Sequence, residues 1–144
     1  TYALPESQVD RFLMRLSLGY PSRLAEKQLL QQDARQKMIN TLQAVFKSED
    51  ILQLQQWVRQ IYLSDAVLEY LLDLTEETRK GRHGLSTRGV LALKLAAQAH
   101  ALISKRSFVT LDDVQAVFVA VASHRIGLGE AETRLLMQQV EAKG

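Results

Sequence analysis

The run from Val90 to Ile103 limits what this chain can become more than any other part of it. Val90, Leu91, Leu93, Leu95, Leu102 and Ile103 alternate with Ala96, Ala97, Ala99 and Ala101, so a helix built from them is apolar nearly all round and thin in girth. Such a helix must be enclosed, and small side chains let its neighbours come close. The pattern predicts a helical bundle whose central helix follows a Ser86 cap and stops near Ser104-Lys105-Arg106. The rest of the composition allows it: 144 residues, 47% hydrophobic and 24% charged, describe one ordinary domain with enough length for a core. With no cysteine, a disulfide scaffold, a thiol nucleophile and a cysteine-based zinc site are excluded, and a cytoplasmic setting is expected.

The neighbours can be read from spacing. Ile51, Leu54, Val58 and Ile61 predict a helix over about 49–62, with Ser48 as cap and Glu49 and Asp50 favouring its start. Ser64-Asp65 opens a second helix with Val67, Leu68, Leu71, Leu72 and Thr75 on one face, closing at Arg79-Lys80-Gly81. Thr110-Leu111-Asp112-Asp113 is a helix start signal, followed by Val114, Val117, Phe118 and Val121 and ending near His124. A last helix runs from Glu130 to about Ala142. Residues 32–47 mix polar and apolar types as helix or loop.

One stretch breaks the pattern. Phe12, Met14, Leu16 and Leu18 alternate with Leu13, Arg15 and Ser17 up to Gly19-Tyr20-Pro21, which is the period of a β-strand. A lone strand cannot satisfy its own ladder, so its partners are expected in sequence outside this chain, with residues 1 to about 20 poorly anchored. The beginning Thr1-Tyr2-Ala3-Leu4-Pro5 is likewise expected to be a cut end. No window approaches the 18 or so apolar residues of a membrane span, the best run being Val114–Ala122, interrupted by Gln115.

Most catalytic signatures are missing: there is no phosphate-binding G-x-x-x-x-G-K-[ST], G-x-G-x-x-G, G-x-S-x-G or H-E-x-x-H. His83, His100 and His124 lack partners at metal-ligand spacing, and Asp112 and Asp113 read as first-turn carboxylates, so no metal site is expected. What remains is charge in particular places. Arg79, Lys80, Arg82 and His83 crowd the loop before Ser86-Thr87-Arg88-Gly89, although the net charge is only +2. A helix N-terminus attracts anions and disfavours a cation, so Arg88 in the first turn stands against the dipole. A bound phosphate would resolve that conflict; a solvated surface pair is the plain alternative. Arg11 precedes the expected strand and could pair with Asp10 or Glu6.

Two segments together resemble a known family. Leu4-Pro5-Glu6-Ser7-Gln8-Val9-Asp10-Arg11-Phe12 through Pro21 is similar to the segment after sensor 1 in AAA+ ATPases of the MoxR family. Ser86-Thr87-Arg88-Gly89 with the alanine-rich helix, Phe108-Val109-Thr110-Leu111-Asp112-Asp113-Val114 and His124-Arg125-Ile126 resemble that family's sensor 2 and lid. The resemblance implies that residues 1–21 end an α/β nucleotide-binding core, supplying the arginine finger and last strand, and that residues 22–144 form the helical lid. It implies a mainly α fold, a helical AAA+ lid bundle preceded by one orphan β-strand.

It further implies a chaperone-like ATPase, a hexameric ring that uses ATP and Mg to mature, or insert metal into, complexes of partners carrying von Willebrand factor A domains. Arg11 matches the arginine finger, a catalytic group, and Arg88 the nucleotide-binding sensor 2 arginine. Thr87 and Gly89 depart from the Pro and Ala frequent there, and Gly89 loosens the first turn by up to about 1 kcal/mol relative to Ala. Without a Walker A or Walker B segment, the chain alone is expected to be inactive. The other reading is a free-standing helical adaptor that binds protein, or less readily nucleic acid, through the basic 79–88 loop, whose cations are not interleaved with aromatics.

Overall fold

The computed structural model describes residues 4–31, 39–80 and 83–141. Its helices, in chain order, are α1 (Glu6–Val9), α2 (Arg23–Gln31), α3 (Ser48–Gln60), α4 (Asp65–Arg79), α5 (Thr87–Ile103), α6 (Leu111–Ile126) and α7 (Glu130–Glu141). The fold is mainly helical, as the spacing predicted. Two compact units can be separated, one of residues 1–16 and 54–144, the other of residues 17–53.

In the first unit α6 packs on α5, α7, α4 and α1. Val114, Phe118, Val121 and Ala122 of α6 are fully buried, and α5 meets them with Leu93, Ala97 and Ala101. The alanines thus do what their size allows, letting two helices approach closely. The centre, however, is α6 rather than α5. Leu91 and Ile103 on α5 stay exposed, so its apolar girth is covered on one side only among the described residues.

Two buried polar side chains of this unit, Gln98 and Asp113, are matched. Gln98 donates from Nε2 to the Ile61 carbonyl at 2.8 Å, steadying the crossing where Tyr62 and Phe108 form an isolated parallel bridge. Asp113, fully buried, accepts from Arg106 Nη1 at 2.5 Å and Nη2 at 2.6 Å, from the Thr110 amide at 2.8 Å and from the Thr110 hydroxyl at 2.9 Å. His100 Nδ1 lies 2.7 Å from Asp113 Oδ1, the oxygen that also accepts from Arg106 Nη2. The first-turn carboxylate read from sequence is therefore also the anchor of the α5–α6 connection. Hydrogen bonding to Arg106, opposed by burial, holds the Asp113 carboxyl well below the usual carboxylate range.

The expected strand over Phe12–Leu18 does not form. Its Phe12 amide turns back on the Val9 carbonyl of α1 at 3.2 Å and its Arg15 amide bonds the Ala120 carbonyl of α6 at 2.8 Å. A strand needs a neighbouring strand, and here side chains of α6 take the carbonyls instead. Nor is the segment up to Arg15 unanchored; it lies on α6.

In the second unit α2 begins after Ser22, whose hydroxyl accepts from the Ala25 amide at 3.2 Å. Asp50 accepts from the Lys47 amide at 2.8 Å, so Ser48 is the first helical residue rather than the cap. Leu24, Leu30, Leu42 and Phe46 are exposed. The 32–47 stretch lies partly outside the described residues, from 32 to 38. No helix is long and apolar enough to cross a membrane, among the described residues.

The turn between α4 and α5 depends on Gly84. A Cβ there would lie 2.3 Å from Arg79 Cγ and 2.6 Å from Arg79 Cα, which leaves no room for any side chain. The closeness lets Arg79 donate to the Leu85 carbonyl from Nε and Nη2, at 3.1 and 2.9 Å, while Thr78 accepts from the Leu85 amide at 3.0 Å. Leu85 is buried as a result. Gly84→Ala should destabilise the chain by more than about 2 kcal/mol, read as a lower urea midpoint at constant m-value. An unchanged midpoint would mean that the turn is looser than described.

Candidate functional site

Both candidate arginines belong to the corner where the 6–13 segment meets the start of α5 and the end of α6. The capping pattern builds it. Ser86 accepts from the Gly89 amide at 3.0 Å, as its position predicted, and its hydroxyl donates to the Asp10 carboxylate, 3.1 and 3.0 Å from the two oxygens. An anion does sit at this helix end, and it is Asp10. Arg88 Nη1 is 3.8 Å from Asp10 Oδ2 with its side chain 60% exposed, which is the weak geometry of a surface pair. The conflict between Arg88 and the helix dipole is thus relieved from within the chain.

Arg125 completes the corner. Its side chain is only 3% exposed. Nε donates to Asp10 Oδ1 at 3.2 Å, Nη2 to the Asp10 and Phe12 carbonyls at 3.2 and 2.6 Å, and Nη1 to the Leu13 carbonyl at 2.9 Å and to Val121 of its own helix. Burial lowers its pKa and the adjacent Asp10 raises it, the charge being kept because every donor direction is used. Sequence spacing missed this role, because Asp10, Phe12 and Leu13 lie more than a hundred residues away. The same geometry explains Gly89. It is buried, and a Cβ would come within 3.0 Å of Leu85 and 3.2 Å of Arg125 Cδ, so the bare Cα admits the arginine stem beside the first turn of α5.

Arg11 follows Asp10 and is exposed. Neither carboxylate proposed for it is its partner: Asp10 turns to Ser86, Arg125 and Arg88, and Glu6 lies 3.9 Å from His83 Nδ1. The basic loop is similarly engaged, with Arg79 turned inward on Leu85 and Lys80 paired with Glu77 at 2.6 Å; Arg82 lies outside the described residues. Glu6, His83, His124, Arg125 and Gly127 line a cavity of about 300 Å³ beside the corner. No group of three His, Asp or Glu side chains among the described residues could hold a metal ion.

His124 adds a pH-sensitive contact. Its Nε2 lies 3.1 Å from the Phe12 carbonyl, which can only accept, and 3.1 Å from Arg125 Nη1, which can only donate, so the tautomer decides which of the two contacts is a hydrogen bond. Nδ1 is buried without a hydrogen-bond partner among the described residues. Burial, with help from the nearby Arg125 and Arg15 charges, lowers the His124 pKa. The unfolded chain takes up this proton near pH 6.5 and the folded chain only at lower pH, so the stabilisation is whole above about pH 6.5 and declines as pH falls below it. The thermal midpoint should therefore drop more steeply between pH 7 and 5 in the parent chain than in His124→Gln; equal slopes would contradict the assignment.

Comparison with known proteins agrees with this architecture. Residues 74–142, spanning the end of α4 through α7, match the AAA lid domain family. The chain is 39% identical over 131 residues to YeaC, an uncharacterized protein of Bacillus subtilis, covering 89% of this chain and 41% of that protein. It is 30% identical over 141 residues to the chaperone MoxR1 of Mycobacterium tuberculosis, covering 88% of this chain and 36% of that protein. The chain thus spans about two-fifths of the length of these curated relatives. The crystal structure of a candidate ATPase from Cytophaga hutchinsonii superposes with a TM-score of 0.83 at 27% identity, over 99% of this chain and 49% of that one. Residues 74–142 are thus an AAA lid domain, and the chain around them is similar in sequence and fold to MoxR-type AAA+ proteins over the part of their length that it spans.

Proposed function

We propose that this chain serves as the lid and arginine-finger portion of a ring-forming AAA+ ATPase, in which Arg88 contacts bound nucleotide and Arg11 reaches the nucleotide of the neighbouring subunit. The observation that carries the reading is the exposure of both guanidiniums at the Asp10 corner: Arg88 at the start of α5, only 3.8 Å from Asp10 and 60% exposed, and Arg11, next to Asp10 in the chain, are open to a second molecule. These residues fit a partial contact to ATP. They do not make a cradle for its β-phosphate or a seat for Mg, which the complete protein must supply from other sequence, so the chain alone should not hydrolyse ATP. By family likeness the ring is hexameric, works in the cytoplasm and acts on partners with von Willebrand factor A domains.

The chemistry asked of both arginines is electrostatic. ATP hydrolysis spreads negative charge over the transferring phosphoryl group, and a guanidinium aimed at it stabilises the transition state more than the ground state. Arg88, on a helix of the lid, can sense nucleotide by moving with α5.

In the complete protein Arg88→Ala should lower turnover and leave the lid folded, since an exposed first-turn arginine contributes little stability. Arg11→Ala should lower turnover by on the order of 10³-fold while ATP still binds. Mixing Arg11→Ala subunits with subunits unable to bind ATP should restore activity that neither shows alone; mixed rings that form and stay inactive would remove the trans role of Arg11.

A further inference from the structure

One guanidinium holds the backbone on both sides of Arg11. Arg125 Nη2 donates to the carbonyls of Asp10 and Phe12, the residues immediately before and after it, and Nη1 donates to Leu13. The Nε of the same group holds the Asp10 carboxylate, whose oxygens also take the Ser86 hydroxyl and face Arg88. Ser86 in turn caps α5 through the Gly89 amide, and Gly89 is the residue whose missing Cβ makes room for Arg125. The contacts therefore form a closed circuit: α6 grips the segment carrying Arg11, that segment grips the start of α5, and the start of α5 carries Arg88. With the Arg125 side chain 3% exposed and Asp10 22% exposed, water competes little for these bonds.

We propose that Asp10 and Arg125 are positioning residues that couple Arg11 to Arg88, so that a shift of the start of α5 is transmitted to Arg11. The coupling rests on the roles proposed above for the two arginines. It adds to them that the two groups do not act independently and that a carboxylate touching neither nucleotide sets their joint aim. The segment moves with α5 because Ser86 and Arg88 meet Asp10 directly, and it keeps its shape while moving because the Asp10, Phe12 and Leu13 carbonyls share one buried donor group.

The test is a mutant cycle on the complete protein, reading kcat and KM for ATP per folded subunit. Arg11→Lys and Arg88→Lys keep charge and change aim. Their effects on kcat should be non-additive by more than about threefold with Asp10 present and should multiply independently when combined with Asp10→Asn. Asp10→Asn alone should lower kcat about tenfold with KM within about twofold, and Asp10→Glu should recover most of that loss. A merely structural Asp10 would cost folded protein and leave the coupling untouched. Multiplying effects in the parent background, a coupling that survives Asp10→Asn, or normal kcat in Asp10→Asn would each overturn the proposal. If neither arginine substitution affects turnover, the functional reading falls and takes the coupling with it; if they act and Asp10→Asn does not, the coupling alone falls.

Discussion

Arg125 is a buried cation that uses its donors on one carboxylate and on backbone carbonyls of two segments. A charge taken out of water is tolerable only when its hydrogen bonds are replaced, and removing one partner of such a set costs more than the set itself contributes. That constraint fixes what surrounds it. Gly89 gives the arginine stem room that a Cβ would crowd to 3.2 Å, Asp10 supplies the carboxylate, and the chain from Asp10 to Leu13 presents carbonyls to α6 instead of to a strand. The corner holding both candidate arginines follows from satisfying this one guanidinium.

The bundle supplies the rigidity that makes such a corner useful. The start of α5 is held by the Ser86 cap and by Leu85, which Arg79, Thr78 and the closeness at Gly84 draw into the core. The start of α6 is held by Asp113, tied to Arg106 and Thr110 and set beside His100. Between them the small side chains of α5 lie against Phe118, Val121 and Ala122 of α6, which are fully buried. Arg88 and Arg11 stay at the exposed rim of this frame, where a second molecule or a ligand phosphate can reach them.

How much of this could be read from the chain depended on the range of the interaction. The helices were legible because their signals are local: the Ser64 and Ser86 caps, the Thr110–Asp113 start, and apolar residues at three and four. Val90–Ile103 predicted a close-packed helix correctly but named the wrong centre, since periodicity measures how apolar a helix is and not how many neighbours it finds. Phe12–Leu18 showed a strand period, yet strands are completed by partners, and here α6 took the bonds. The conflict at Arg88 was visible as a cation against a dipole, and its relief by Asp10 was not, because 78 positions separate the two residues. Gly89 read as a weak point in a helix and proved to be the space that Arg125 occupies.

The central claim is that Arg125 fastens the Arg11-bearing segment to α6, and the Arg15 amide, bonded to Ala120 on that helix, reports it most directly. Hydrogen exchange at Arg15 should be slow in the parent chain and should approach the unprotected rate in Arg125→Met, while amides of Leu93 to Ala101 and Val117 to Ala122 keep their protection. Rapid exchange at Arg15 in the parent chain, or protection there that survives the substitution, would contradict the account.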